Sequence, residues 1–457
     1  MPERVASPLR ISHAGLRGVV GGGLTAAHVL DFASAFGTFL APGGAVVVGR
    51  DPRASGAMLH EGVIAALLAC GHDVVSLGVV STPVIQHAIR RLAAAGGISI
   101  GASHNAAEWN ALKFFGPQGV YLSTAEAGEL LDIYHLKKFD FVPYDRLGQL
   151  RQEAAAIDWY LEELAAVYDF ASLRRFKVVV DCCNGTSSLL LKRLNERFGF
   201  SFLLINARIE GVSFAHEPST TARMVALQLA PLIQPLQADA GFLFDVDSDR
   251  VALATDEGVP LSEEMVLPLL ADYLLPRGPG KLVITNLSST ALLEEVAAWH
   301  GGKVIRVPVG RQAAMDALAS YRPEQIAVAG EGTGAVMMPR FRFIYDGIAS
   351  MLAILSMMAE RGQELSEIVG GYPRYSILKD AVPLASQRIP ALLTELRARY
   401  ADGAVNVLDG LRVDWPGRWF HVRVSQTEPL LRVICEQRGD PPRALLDELL
   451  EHIRGLA

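Results

Sequence analysis

The chain has 457 residues, half of them apolar, with 42 glycines, 24 prolines and a formal net charge of −7; this is too long for one core and predicts two to four domains of alternating helix and strand, not a disordered or coiled-coil chain. The acidic balance argues against a nucleic-acid footprint or an anionic-membrane patch, so any phosphate recognition has to be local. Cys70, Cys182, Cys183 and Cys435 lack metal-ligand spacing and read as reduced, buried thiols of a soluble cytoplasmic protein; residues 1–10 carry no apolar signal core, and the apolar run 348–359 is shorter than the roughly 20 residues that cross a bilayer as a helix.

In chain order, residues 45–49 form a β-branched run, followed by the turn Asp51-Pro52-Arg53-Ala54-Ser55-Gly56 and an Ala/Leu-rich helix. Residues 177–181 lead in the same way into Cys182-Cys183-Asn184-Gly185-Thr186 and a helix, and residues 282–285 into Asn286-Leu287-Ser288-Ser289-Thr290 and another. Each reads as a strand–loop–helix unit of an α/β layer, and a recurrence about every hundred residues predicts three related domains. The tail differs: strand runs 419–424 and 430–436 bracket a polar turn, and 441–456 reads as a closing amphipathic helix, together a smaller α+β module.

Four segments carry chemistry. Residues 98–102 read as a strand, so Ser103 stands at a strand end, where α/β sheets meet their ligands. No Gly-x-Ser-x-Gly elbow surrounds it, which weakens a hydrolase nucleophile but leaves a phosphoserine, which needs no activating base; Ser103 and Asn105 would serve equally as caps for residues 109–114. His104 reads as a proton shuttle or a loop-ordering partner, and Lys113 as a charge that balances a phosphate or, with its pKa lowered by burial, moves a proton.

The run Asp245-Val246-Asp247-Ser248-Asp249-Arg250 lies between apolar strand signals at 241–244 and 251–255. Two carboxylates about 4 Å apart repel by roughly 4 kcal/mol at an effective dielectric of 20, so three in one turn call for a cation unless the turn is solvated. A calcium loop is ruled out by Arg250 at the sixth position and Asp256 at the twelfth, and an all-oxygen donor set favours Mg²⁺. Gly330-Glu331-Gly332-Thr333-Gly334 offers one carboxylate to sugar hydroxyls, or is a plain glycine turn. Arg423-Val424-Ser425-Gln426-Thr427-Glu428-Pro429 with Arg432 forms an anion-binding concavity for a phosphate held without reacting, or an ordinary polar hairpin.

Together and in this order, these segments resemble the α-D-phosphohexomutases over the whole chain. Family members carry a phosphoserine in a Ser-His-Asn loop, here Ser103, and an Asp-x-Asp-x-Asp-Arg metal loop, here Asp245, Asp247, Asp249 and Arg250. Their Gly-Glu-x-Ser-Gly sugar loop is similar to residues 330–334, with Thr333 for Ser, which implies that Glu331 and Thr333 bind substrate. Their Arg-x-Ser-x-Thr-Glu-Pro loop matches 423–429, which implies that Arg423, Ser425, Gln426, Thr427 and Arg432 grip the distal phosphate. Gly15-Leu16-Arg17-Gly18 looks like the N-terminal active-site arginine, and Gly49-Arg50-Asp51-Pro52-Arg53 like the first strand-end motif.

The resemblance implies an α/β fold of three similar mixed domains plus the smaller α+β domain around a central cleft: 1–150 with the phosphoserine, 151–258 with the metal, 259–370 for sugar recognition and a mobile 371–457 for phosphate. It implies interconversion of sugar 1-phosphate and 6-phosphate through phospho-Ser103 and a sugar bisphosphate, with Ser103, Lys113, Arg17, His104 and Arg250 catalytic. Ser103 and the three aspartates would hold one Mg²⁺, a sugar 1,6-bisphosphate would act as activator, and the protein would be a monomer or homodimer whose other partner is a small phosphosugar. A metal-dependent sugar phosphatase and a non-catalytic phosphosugar-binding protein are the rival readings. The chain departs from the family pattern at Ala106, where Pro is usual, at Asn110-Ala111 for Asn-Gly, and at Ala335, where many members have His; Lys113, His104 or an arginine would have to compensate. Its Gly-Glu-Gly-Thr-Gly loop looks closest to the Gly-Glu-Gly-Asn-Gly form of archaeal-type phosphoglucosamine and related mutases, while mannose, glucose, glucosamine and pentose phosphates all stay open.

Overall fold

The computed structural model of the protein describes residues 9–40, 42–209, 213–339, 341–383, 386–425 and 430–455, which form four sheets. The first contains β1 (Arg10–Ser12), β2 (Gly15–Val19), β3 (Val46–Arg50), β4 (Val74–Val79), β5 (Gly96–Ile100), β6 (Trp109–Phe115) and β7 (Leu150–Gln152), in the order β1-β2-β6-β5-β3-β4-β7. The second holds β8 (Val178–Asp181), β9 (Leu203–Ile205), β10 (Ala240–Phe244) and β11 (Val251–Thr255), in the order β11-β10-β8-β9. The third holds β12 (Leu282–Asn286), β13 (Lys303–Val307), β14 (Ile326–Gly330) and β15 (Val336–Met337), in the order β13-β12-β14-β15.

One pattern occurs three times. β3, β8 and β12 each lie between two parallel neighbours, and β5, β10 and β14 are each followed by an antiparallel strand, β6, β11 or β15. The chain therefore reverses at one equivalent position per unit, and the three reversals contain Ser103, the acidic run and the Gly-Glu-Gly-Thr-Gly loop. The strands beneath them, such as Val178–Asp181 and Ala240–Phe244, are buried at every residue, as expected of apolar runs without alternation in a sheet covered on both faces.

The fourth sheet is antiparallel throughout: β16 (Tyr375–Pro383), β17 (Ala404–Asn406), β18 (Leu411–Trp415), β19 (Arg418–Val424) and β20 (Leu430–Arg438), in the order β16-β20-β19-β18-β17, with helices Ile389–Arg399 and Arg443–Gly455. Its core, which includes Leu392, Phe420 and Leu449, is separate from the one that runs continuously through the first three units. The class is thus three similar mixed α/β domains with a smaller α+β domain, the first sheet continuing through β7 to Gln152. The apolar run near 350 lies in the buried helix Gly347–Arg361, and among the described residues no helix is long and apolar enough to cross a membrane.

Candidate active site

Ser103 sits just past β5 with φ +50°, a left-handed conformation that a non-glycine residue keeps only where its surroundings impose it. Arg53 imposes it. Its guanidinium donates to the carbonyls of Ser103 (2.8 Å), Asn105 (2.7 Å) and Trp109 (3.1 Å) and to Asp51 Oδ2 (2.9 Å), and both members of the ion pair are buried. The Phe214 ring, from the second domain, lies 4.7 Å from the guanidinium. From β2, Arg17 donates to Asn105 Oδ1 at 2.9 Å; burial, then repulsion from Arg311 and Arg250, pushes its pKa down to about 10. His104 Nδ1 is 3.4 Å from Ser103 Oγ, and the charge of Arg250, with burial and Arg17 adding to it, holds this imidazole neutral, well below its ordinary pKa.

The acidic run meets Ser103 across the first domain boundary. Ser103 Oγ donates to Asp245 Oδ2 and, at 3.3 Å, to Asp249 Oδ1. Oxygens of Asp245, Asp247 and Asp249 lie within 4.8 Å of one another, and all three residues are buried. The N-terminal turn of helix Thr82–Arg91 supports the run, Thr82 Oγ1 donating to Asp247 Oδ2 at 2.8 Å and its N–H to the Asp247 carbonyl at 3.1 Å. Asp247 Oδ1 is buried with no hydrogen-bond partner among the described residues. Burial, then the charges of Asp249 and Asp247, pushes the Asp245 carboxyl well above its ordinary range. Burial acts on Asp249 in the same sense, but Lys113, Arg250 and Arg311 outweigh it and hold that carboxyl below its usual value. A crowded oxygen trio with an orphaned buried acceptor fits a hard divalent cation.

Lys113 corrects one expectation. Its ammonium contacts Asp247 and lies 3.2 Å from Asp249 Oδ2. Burial alone would lower its pKa, as a proton-moving lysine requires, but the two carboxylates raise it above the ordinary value. The two carboxylates thus keep Lys113 an ammonium, and the positive charges around His104 disfavour protonation of its ring.

The Gly-Glu-Gly-Thr-Gly loop packs directly on the acidic one. Val251 N–H donates to the Gly334 carbonyl at 3.1 Å, an approach that a Cβ at Gly334, whose φ is +79°, would block. Glu331 accepts from the Tyr345 hydroxyl at 3.1 Å, and the Thr333 hydroxyl is buried without a hydrogen-bond partner among the described residues. Arg311, at the start of helix Arg311–Ala319, lies 3.8 Å from Asp249 and stacks 4.1 Å from the Tyr121 ring. Farther along, β19 and β20 pair Arg423 directly with Arg432, Ser425 N–H closes the turn on the Leu430 carbonyl at 2.8 Å, and Arg423 Nε is buried without a partner among the described residues. Two guanidiniums facing each other across this hairpin concentrate positive charge at its turn, with the charge of Asp409 acting on Arg423. Gln426 and Thr427, the other two residues expected to hold that phosphate, lie outside the described residues.

Known proteins resemble this chain over nearly its whole length. Family models of phosphoglucomutase/phosphomannomutase α/β/α domains I, II and III match residues 10–140, 158–258 and 262–375. A phosphoglucomutase/phosphomannomutase of Thermococcus kodakarensis is 31% identical over 93% of this chain and 94% of its own. The chain belongs to the α-D-phosphohexomutases. A phosphoglucosamine/phosphogalactosamine mutase of Sulfurisphaera tokodaii is 27% identical over 96% of this phosphohexomutase and 98% of its own length. The crystal structure of a phosphoglucomutase/phosphomannomutase family protein from Burkholderia thailandensis superposes with a TM-score of 0.82 at 27% identity, covering 98% of this chain and 97% of the other.

The enzyme is therefore a mutase, an isomerase that moves a phosphoryl group within a sugar phosphate, and the phosphatase and sensor readings are disfavoured. Its structure adds residues that the motifs did not single out. Arg53 was visible only as part of a strand-end motif, without a role; Thr82 and Arg311 carried one faint signal each, a Ser-Thr-Pro helix start and a Gly-Arg pair at a strand end.

Proposed function

We propose that phosphorylated Ser103 donates its phosphoryl group to the free hydroxyl of a hexose or hexosamine 1-phosphate and recovers one from the resulting 1,6-bisphosphate, leaving the 6-phosphate. The observation that carries this reading is the hydrogen bonding of Ser103 Oγ to Asp245 and Asp249 inside a trio whose third member keeps a buried, unpartnered oxygen. Asp245, Asp247, Asp249 and the Ser103 phosphate would hold one Mg²⁺, which when bound would neutralise charge on the phosphoryl oxygens during transfer.

In the first half-reaction the P–O bond to Ser103 breaks, a P–O bond to the sugar oxygen forms, and the hydroxyl proton leaves to His104, the imidazole beside Ser103 Oγ. Lys113, Arg250 and Arg17 balance the negative charge that spreads over the phosphoryl oxygens. Glu331 and Thr333 take the sugar hydroxyls, and Arg423, Ser425, Gln426, Thr427 and Arg432 hold the distal phosphate while the bisphosphate turns end for end. The second half-reaction runs the same steps in reverse, so a sugar 1,6-bisphosphate added in trace amount would prime unphosphorylated enzyme. These groups all come from one chain, which suits a monomer or a homodimer, and the free thiols, buried at Cys182, Cys183 and Cys435 but only half-buried at Cys70, suit a reducing cytoplasm.

The test is phosphorus NMR of glucose, mannose and glucosamine 1-phosphates with Mg²⁺ and trace bisphosphate. The parent should convert at least one to its 6-phosphate without releasing inorganic phosphate, and Ser103→Ala none. Conversion by Ser103→Ala at the parent's rate would reject the phosphoserine role.

A further inference from the structure

The fourth domain touches the sugar loop through one residue that the proposed mechanism leaves unused. Lys379, on β16, donates to Glu264 Oε1 at 2.7 Å, to Glu263 Oε1 at 3.1 Å and to the Gly332 carbonyl at 3.4 Å. Glu264, only 4% exposed, accepts the Thr290 N–H on its other oxygen at 3.0 Å. A Cβ at residue 332 would fall on the Glu264 carboxylate, so glycine is the residue that lets the loop come this close. The Gly332 N–H in turn donates to Ser289 Oγ at 3.0 Å. Gly332 is thus held at both its N–H and its carbonyl.

The loop that supplies Thr290 and Ser289 is itself seated on the fourth domain. Ser288 Oγ shares a hydrogen bond with His421 Nδ1 at 2.9 Å, Arg412 donates to the Leu287 carbonyl, and Ala291 N–H donates to Glu436 Oε2 at 2.7 Å. Burial pushes the Glu264 carboxyl up to about 7, with the charge of Lys379 working against it; without that charge a lone carboxylate here would be expensive to bury.

We infer that Lys379 is a positioning residue: through Glu264 and the Gly332 carbonyl it makes the geometry of the sugar loop depend on how the fourth domain is seated. When that domain lifts, the ammonium withdraws, the clamp on Gly332 loosens, and the grip of Glu331 and Thr333 on the sugar relaxes together with the grip on the distal phosphate. Both ends of the bisphosphate would then be released in one movement, as its reorientation requires. The inference rests on the proposed substrate role of Glu331 and Thr333.

The test compares Lys379→Met, Lys379→Arg and Glu264→Gln in full-length enzyme. In substrate-free protein, amide exchange of peptides covering 286–291 and 331–335 should rise about tenfold or more in Lys379→Met and in Glu264→Gln, and return to near the parent in Lys379→Arg. In turnover, Lys379→Met should raise KM for the sugar phosphate about tenfold with a smaller change in kcat, release more bisphosphate to solution, and be rescued by Lys379→Arg. Adding Glu264→Gln to Lys379→Met should change KM by no more than about twofold, because the two residues act as one unit. Unchanged exchange in 331–335, or additive effects in the double variant, would overturn the inference. Glu331→Gln separates the two readings: an unchanged KM there removes the proposed sugar role, while the exchange result still decides the clamp.

Discussion

Replacing Lys113 with Met should expose the charge balance on which the site is built. Lys113 is 1% exposed, and methionine has a similar length, so the change removes charge without leaving a large cavity. Asp249 keeps Arg250 and Arg311, each at 3.8 Å, but Asp247 is left with the Thr82 hydroxyl as its only side-chain partner among the described residues. Removing one partner of a buried ion pair costs about 3–5 kcal/mol. At about 2–4 °C per kcal/mol for a domain of this size, melting in EDTA should fall by about 6–20 °C. A divalent cation at 100 times its Kd stabilises the parent by about 2.7 kcal/mol; with one competing positive charge gone, the variant should bind it more tightly and recover by more. Scanning calorimetry in EDTA and in saturating Mg²⁺ measures both quantities. A variant that melts with the parent in EDTA, or that gains less from Mg²⁺, would refute the pairing.

Arg53→Met should lose about 3–5 kcal/mol of stability by leaving Asp51 buried and unpaired; adding Asp51→Asn should restore the melting temperature but not the rate of Ser103 phosphorylation by bisphosphate, because the loop carbonyls still lack their donor. Thr333→Val should leave melting within about 0.5 kcal/mol of the parent, since its hydroxyl is unpartnered, and raise KM about tenfold by losing one substrate hydrogen bond. Asp346, whose side chain caps helix Gly347–Arg361, has its pKa raised from 3.8 to about 6 by burial. The folded state therefore binds the proton more tightly, and this contribution is complete below pH 4 and lost as pH rises to 6. Relative to Asp346→Asn, the parent should lose about 3 kcal/mol across that window and then level off, as measured by urea unfolding at each pH.

The candidate groups were legible because each is crowded into a short run: one hydroxyl at a strand end, three carboxylates in six residues, a glycine-flanked glutamate, and arginines around a polar turn. The fold class was legible because the strand–loop–helix units announce themselves by all-apolar strands. The contacts that hold these runs in place were not. Arg53 acts on carbonyls about fifty positions away, Thr82 on a carboxylate 165 positions away, and Glu264 is one acidic residue in an ordinary helix start until Gly332 is seen against it. Lys113 shows a second limit: a sequence reveals that a lysine will be buried, but the sign of its pKa shift depends on carboxylates that only the fold brings near. Arg311 likewise reads as a routine helix residue until β13 and the loop after it carry it beside Asp249.

The most direct measurement is the intact mass of the enzyme after incubation with a hexose 1,6-bisphosphate and Mg²⁺, followed by peptide mapping of the modified site. The geometry around Ser103 predicts one phosphate on the parent, located on Ser103, none on Ser103→Ala, and slower loading on Asp247→Asn. A parent that turns over sugar phosphate while never carrying phosphate, or that carries it on a different residue, would contradict the assignment of Ser103 as the phosphoryl carrier.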